Sequence, residues 1–200
     1  MLLVTDHAAA RAAVFGLIGA GYLAEIVATY HGRGWEAFRP RRSSGLDRGT
    51  KQVVVLAMVA GILASVFIAR SAALRTGANT WATYGLGMAV FATGIGFRVW
   101  AVWTLGRWFK REVTIDVGQT VQRGGPYRFV RHPAYLGDVL IAFGFGLAWG
   151  SWLGAAVALT LTVAGHLPRI RVEEAALRDS LGEEYVSYAN GRARFLPGVW

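Results

Sequence analysis

The chain carries four apolar blocks, each long enough to cross a bilayer or longer, and this leaves few folds open to it. They run roughly from Ala12 to Tyr30, Gln52 to Ala69, Trp81 to Leu105 and Tyr135 to Leu167. A helix needs about 20 mostly apolar residues to span the hydrocarbon core. The first block holds one acid, Glu25, the second no charge, and the third Arg98. The fourth is too long for one span, and Gly150 with Ser151 near its middle predicts a tight hairpin of two short spans. The expectation is an all-α integral membrane protein of about five transmembrane helices. Composition agrees. Charged residues are 16% of the chain, against about 25% in a soluble domain. The 26 Gly and 8 Trp are types favoured in membrane helices and at membrane–water interfaces. With no cysteine, disulfides, thiolate metal sites and a Cys nucleophile are excluded. No Lys/Arg-rich start precedes the first block, since Asp6 and His7 come before Arg11, so it reads as a retained helix.

The net charge of +9 sits between the apolar blocks, which argues for a membrane surface over nucleic acid. Basic residues crowd the loop after the first block (Arg33, Arg39, Arg41, Arg42, Arg48, Lys51). They crowd the polar stretch after the third (Arg107, Lys110, Arg111, Arg123, Arg128, Arg131) and the tail (Arg169, Arg171, Arg178, Arg192, Arg194). The loop after the second block carries only Arg70 and Arg75. By the positive-inside rule this alternation places the N-terminus outside and the long third loop and the tail in the cytoplasm, in a multi-pass protein of the cell membrane. Residues 1–105 form an N-terminal three-span unit and residues 106–200 a second unit of loop, helical hairpin and tail. The tail reads as a helix from about Pro168, in its first turn, to Asn190, interrupted at Gly182.

The third loop contains GGPYRFVRHPAYLG, Gly124 to Gly137. Gly124, Gly125 and Pro126 form turns, and Pro133 biases His132 away from helical geometry. A histidine on an extended piece at the mouth of a span is placed to bind. An interfacial loop anchored by Tyr127 and Tyr135 accounts for the same residues equally well. In the tail, Arg169, Glu173 and Leu177 share a helix face, which a surface helix with weak ion pairs also explains. Glu25 and Arg98 are ionisable groups at membrane depth, functional candidates by default or partners for each other. Gly16, Gly19 and Gly21 read as close helix packing, and His166 as a polar contact. The four histidines lack metal-ligand spacing.

The RHPxYxG segment, followed by Glu173–Glu174 and GEEYVSY at Gly182–Tyr188, resembles the isoprenylcysteine carboxyl methyltransferases and related phospholipid methyltransferases. The likeness covers roughly Arg107 to Gly198. It implies a pocket for S-adenosyl-L-methionine, leaving as S-adenosyl-L-homocysteine, built from loop and tail without a Rossmann domain. Carried over by position, the cofactor pocket comprises Gln119, Thr120, Val121, Gln122, Tyr127, His132, Pro133, Ala134, Tyr135 and Glu173. Arg169 and Glu173 are implied as catalytic, with Arg169 orienting the acceptor carboxylate. Animal members have Gln where this chain has Glu112, begin the Gln119–Gln122 segment with His, and are acidic where this chain has Ile170-Arg171-Val172. The cofactor's ammonium suits Glu173, its carboxylate suits His132 and loop N–H groups, and its sulfonium suits the faces of Tyr127 and Tyr135. The resemblance implies a methyl ester on a lipophilic, isoprenylcysteine-like acid, drawn from the membrane. A carboxylate acceptor is ionised at neutral pH and needs no base, so placement does the work. A phospholipid amine or thiol in the same pocket is the alternative, and a small transporter or adaptor built on Glu25 and Arg98 is the non-enzymatic one.

Overall fold

The computed structural model describes residues 3–33, 47, 49–71, 80–110, 112–116 and 118–195. Arg39, Arg41, Arg42, Arg48, Arg75, Arg111 and the end of the chain from Leu196 lie outside them. Among these residues six α-helices follow in order: α1 (Ala8–Arg33), α2 (Thr50–Arg70), α3 (Trp81–Leu105), α4 (Pro133–Ala148), α5 (Trp152–Leu181) and α6 (Glu183–Asn190). Among the described residues the only strand-like pairing is a single parallel bridge between Val130 and Ala193. Four helices, α1, α2, α3 and α5, are long and apolar enough to cross a membrane, and α4 is a shorter apolar helix. The all-α membrane architecture expected from the apolar blocks is therefore the one found. At about 1.5 Å per residue, the 16 residues of α4 reach about 24 Å, short of a bilayer core of about 30 Å.

The helix ends follow local chemistry. Thr80 caps α3 by accepting from the Thr83 N–H at 3.1 Å, and Ser151 caps α5 by accepting from the Gly154 N–H at 3.0 Å. Such caps satisfy amides that the first helical turn leaves open. The predicted hairpin break is present: the chain reverses between α4 and α5 through Gly150, at φ 86°, a left-handed conformation that glycine adopts without a Cβ clash. Gly182, at φ 54°, separates α5 from α6. One expectation is corrected. Pro168 does not open a tail helix but lies inside α5, which runs unbroken from the second half of the fourth apolar block to Leu181. Proline removes a single backbone hydrogen bond, and the continuous run on both sides, held by packing on α2 and α4, outweighs that loss.

α4 lies between α3 and α5, while α1 packs on α3 and α2 on α5. α3 and α4 approach at glycine: a Cβ on Gly94 would lie 2.7 Å from the Ile141 nitrogen, and one on Gly137 2.7 Å from the Arg98 Cβ. This is how small residues draw membrane helices together. In the N-terminal cluster, Gly21 meets the Ile95 side chain, but Gly16 and Gly19 have nothing within 4 Å, so close packing explains only one of the three. The outward faces of α1 and α2 are apolar; Leu56 is 68% exposed and Phe67 70%. Faces of that kind match lipid, not water.

Candidate functional site

A cavity of about 560 Å³ runs from the loop between α3 and α4 down into the cleft between α1 and α2. Its polar end is walled by Gln119–Gln122, Tyr127, Arg131, His132, Ala134, Tyr135 and, from α5 and α6, Glu173, Leu177 and Tyr185. Its apolar end is walled by Ile18 and Tyr22 of α1, Val54 and Met58 of α2, and Ile95 and Phe145. Loop and tail thus close over one end of the α4–α5 hairpin. Of the residues assigned from sequence, Pro133 alone does not face the cavity; it is buried as the first residue of α4. Arg169, Glu173 and Leu177, one helix face by spacing, all face it.

The loop is held by named bonds. His132 takes φ −123° and ψ 61°, the non-helical geometry expected before proline. Its ring stacks on Tyr135 with centroids 5.4 Å apart, and its Nε2 lies 3.2 Å from the Glu174 carboxylate. Buried Glu174 also takes Arg131 at 2.9 Å and Arg194 at 3.1 Å. Backbone bonds from the Arg131 and His132 amides to the Ala193 and Arg194 carbonyls run beside it. Sequence reading noted Glu174 only as a neighbour of Glu173; its role as the buried joint of three segments needs the fold. The Tyr188 hydroxyl donates to the Tyr127 carbonyl at 2.8 Å, and the Val121 amide to Glu184 at 3.2 Å, which seats α6 against the Gln119–Gln122 segment. Burial, then the nearby Glu173 charge, push the Tyr127 phenol well above its ordinary value, so it stays neutral.

Between the two ends sits a chain of charges. Tyr135 donates to Glu173 at 2.6 Å and accepts from Arg169 Nε at 2.8 Å. Arg169 also donates to Asp47 at 2.8 Å. Asp47 lies just before α2 and receives the Thr50 hydroxyl and the Lys51 amide. Burial raises its carboxyl, but the Lys51 amide, the Thr50 hydroxyl and the Arg169 charge together hold it below its usual value. Deeper, Arg98 grips Glu25 at 2.8 and 3.2 Å and Asp138 at 2.7 Å. Glu25 and Arg98 therefore pair, as one sequence reading had it, but with Asp138 as a third member and His166 behind it at 3.2 Å. Asp47 and Asp138 carried no sequence signal, because each joins the site through a contact distant in the chain. Glu112 lies 3.6 Å from Lys51 at the rim.

Buried polar atoms on the wall that lack a partner among the described residues include Arg131 Nε and the Tyr185 hydroxyl. Buried polar groups are rarely left so. Both donate, next to a carboxylate at Glu173 and aromatic faces at Tyr127 and Tyr135. That donor set fits a small zwitterion with an anionic end, hydroxyls and a cationic centre, so the residues present suit S-adenosyl-L-methionine.

The fold and cavity define a multi-pass helical membrane protein with a polar pocket opening onto an apolar cleft. The sequence model of phospholipid methyltransferases matches residues 82–184, and the chain belongs to that family. A steroid 5-alpha-reductase DET2 from Solanum lycopersicum is 30% identical over 105 residues, 52% of this chain and 39% of that protein. The chain thus spans well under half the length of this curated relative. Among solved structures, a eukaryotic intramembrane Ras methyltransferase, isoprenylcysteine carboxyl methyltransferase, aligns with a TM-score of 0.66 at 18% identity. The alignment covers 95% of this chain and 68% of that one, a likeness of fold.

Proposed function

We propose that this protein is an S-adenosyl-L-methionine-dependent methyltransferase acting on the polar head of a lipophilic acceptor taken from the membrane. The observation that carries the reading is the single cavity, polar under the loop and tail and apolar between α1 and α2. A charged donor and a greasy acceptor meet in such a space without either crossing the other's solvent. Family membership supports the same reaction class. Glu173 would take the donor's ammonium, Arg131 and Tyr185 its carboxylate and hydroxyls, and Tyr127 and Tyr135 would flank the sulfonium. The donor end would face the cytoplasm, as the loop charges direct. Methyl transfer then rests on in-line placement and exclusion of water.

Two acceptor chemistries compete where the chambers join. A lipophilic carboxylate, the isoprenylcysteine-like case, is supported by Arg169 on the wall, provided the acceptor displaces Asp47 from it. An amine is supported by the carboxylates of Asp138 and Glu173 on the wall, which suit a cationic head.

Isothermal titration in detergent tests the core of the reading. S-adenosyl-L-methionine should bind the wild type, and Glu173→Ala should weaken binding at least about tenfold, the worth of one charge-assisted hydrogen bond. Absence of binding by the wild type overturns the proposal.

A further inference from the structure

α3 marks both boundaries of the bilayer. Trp81, its first residue, and Trp103, near its end, are 59% and 48% exposed. At about 1.5 Å per residue the two indoles stand about 33 Å apart along the helix. That spacing sets one at each edge of a hydrocarbon core of about 30 Å, where tryptophan is favoured. Trp152 opens α5 at the Trp81 end, where Gly87 of α3 meets Ala148 of α4. The loop between α3 and α4 therefore leaves the bilayer at the level of Trp103. Its two short turns, Gly106–Trp108 and Gly125–Arg128, lie in the headgroup layer. The second turn is pressed onto the end of α3: a Cβ on Gly125 would lie 2.5 Å from the Thr104 hydroxyl.

Among the described residues, three guanidinium groups lie over aromatic rings, and all three are at this boundary. Arg107 covers Trp108 at 4.2 Å, Arg128 covers Phe129 at 4.4 Å and Arg192 covers Tyr188 at 4.6 Å. Arg192 also donates to the Arg128 carbonyl at 3.3 Å, which seats it on the second turn. Other arginines at this end are spent on Glu174: Arg131, Arg178 and Arg194. Arg107 and Arg128 are exposed, and neither they nor Arg192 meet a carboxylate among the described residues. A guanidinium laid flat on a ring keeps its N–H edge for a second partner, and that edge matches a phosphate. We propose that Arg107, Arg128 and Arg192, with Trp103 and Phe129 exposed at the same level, form a docking surface for anionic phospholipids of the loop-side leaflet. The phosphodiester takes the open guanidinium edges, and the rings meet the upper acyl chains. A lipid fits this surface better than a soluble acidic partner, because Phe129, 49% exposed, needs an apolar neighbour. The second turn carries Tyr127 and leads into His132, so headgroups on Arg128 hold the polar end of the cavity at the membrane surface. The three arginines do not line the cavity, and lipid binding there does not depend on methyl transfer.

The test is native mass spectrometry of the full-length protein in a neutral detergent, without cofactor. Phosphatidylglycerol and phosphatidylcholine of the same acyl chains are titrated separately. Wild type should prefer phosphatidylglycerol by about 100-fold, at about fivefold for each of the three arginines. Arg107→Gln with Arg128→Gln removes no hydrogen bond among the described residues. It should weaken phosphatidylglycerol about 25-fold and leave phosphatidylcholine unchanged. Each single substitution should cost about fivefold, and the singles decide the matter if the double variant melts early. Arg70→Gln, at the opposite end of the bundle, should keep the wild-type preference. Wild-type preference in the double and single variants overturns the proposal. So does an equal loss in Arg70→Gln, which would make the preference one of net charge alone. Displacement of phosphatidylglycerol by an equal concentration of inorganic phosphate also overturns it, since a free anion would then suffice. Cofactor titration bears on methyl transfer alone, so the two proposals fail separately.

Discussion

At the scale of single residues, the buried charges carry most of the information. Arg98 joins Glu25 of α1 to Asp138 of α4 and thereby ties three helices together. Removing one member of a buried ion pair leaves a charge without compensation, at a cost of about 3–5 kcal/mol. Arg98→Leu should therefore lower thermal stability in detergent sharply, and Arg98→Leu combined with Glu25→Leu and Asp138→Leu should recover much of it. Asp47 behaves differently because it lies at the water-facing end of α2. Its carboxyl titrates below its ordinary value of 3.8 in the fold, so the unfolded chain binds the extra proton. The stabilisation is complete above 3.8 and fades as pH falls through the folded value. Wild type should lose stability as pH drops below about 4, and Asp47→Asn should flatten that slope, read as melting temperature against pH. Glu25 and Arg98 stood out in the sequence as charges in apolar runs. Asp138 did not, since a lone acid five residues past a proline has no local pattern, and only α3 lying against α4 reveals its partners.

At the scale of elements, the helices were legible because apolar run length and turn chemistry are local. The Gly150 reversal and the Gly182 break were both expected and are both present. Pro168 was misplaced because its rule is statistical: proline favours a first turn, yet tertiary packing on both sides carries α5 through it. Helix contact was legible only in part. Gly94→Leu should abolish a monodisperse peak on detergent size exclusion, since its Cβ meets α4 backbone 2.7 Å away and backbone cannot yield. Gly16→Ala, with nothing within 4 Å, should run as wild type and gain helix propensity.

At the scale of the whole molecule, the division of the cavity into a polar and an apolar end is what organises the proposed chemistry. α1 and α2 rest on different neighbours, α3 and α5, and the cleft between them becomes the apolar arm. Met58→Trp narrows that arm far from the loop. It should raise KM several-fold for long-chain acceptors, less for short-chain ones, and leave cofactor affinity unchanged. Steady-state kinetics over a series of acyl lengths reads this directly; equal effects at all lengths would place the acceptor elsewhere.

The sequence by itself determined the solvent of this protein, its helices and the loop and tail segments that bear the family likeness. Those features depend on the hydrophobicity of contiguous residues and on turn preferences, which act over a few positions. The tertiary structure decided which charges meet: Glu174 with Arg131 and Arg194, Arg169 with Asp47, and Asp138 with Arg98 and His166. Each of these links joins groups at least 20 residues apart. Burial fixes their energies, and burial exists only once the helices have packed.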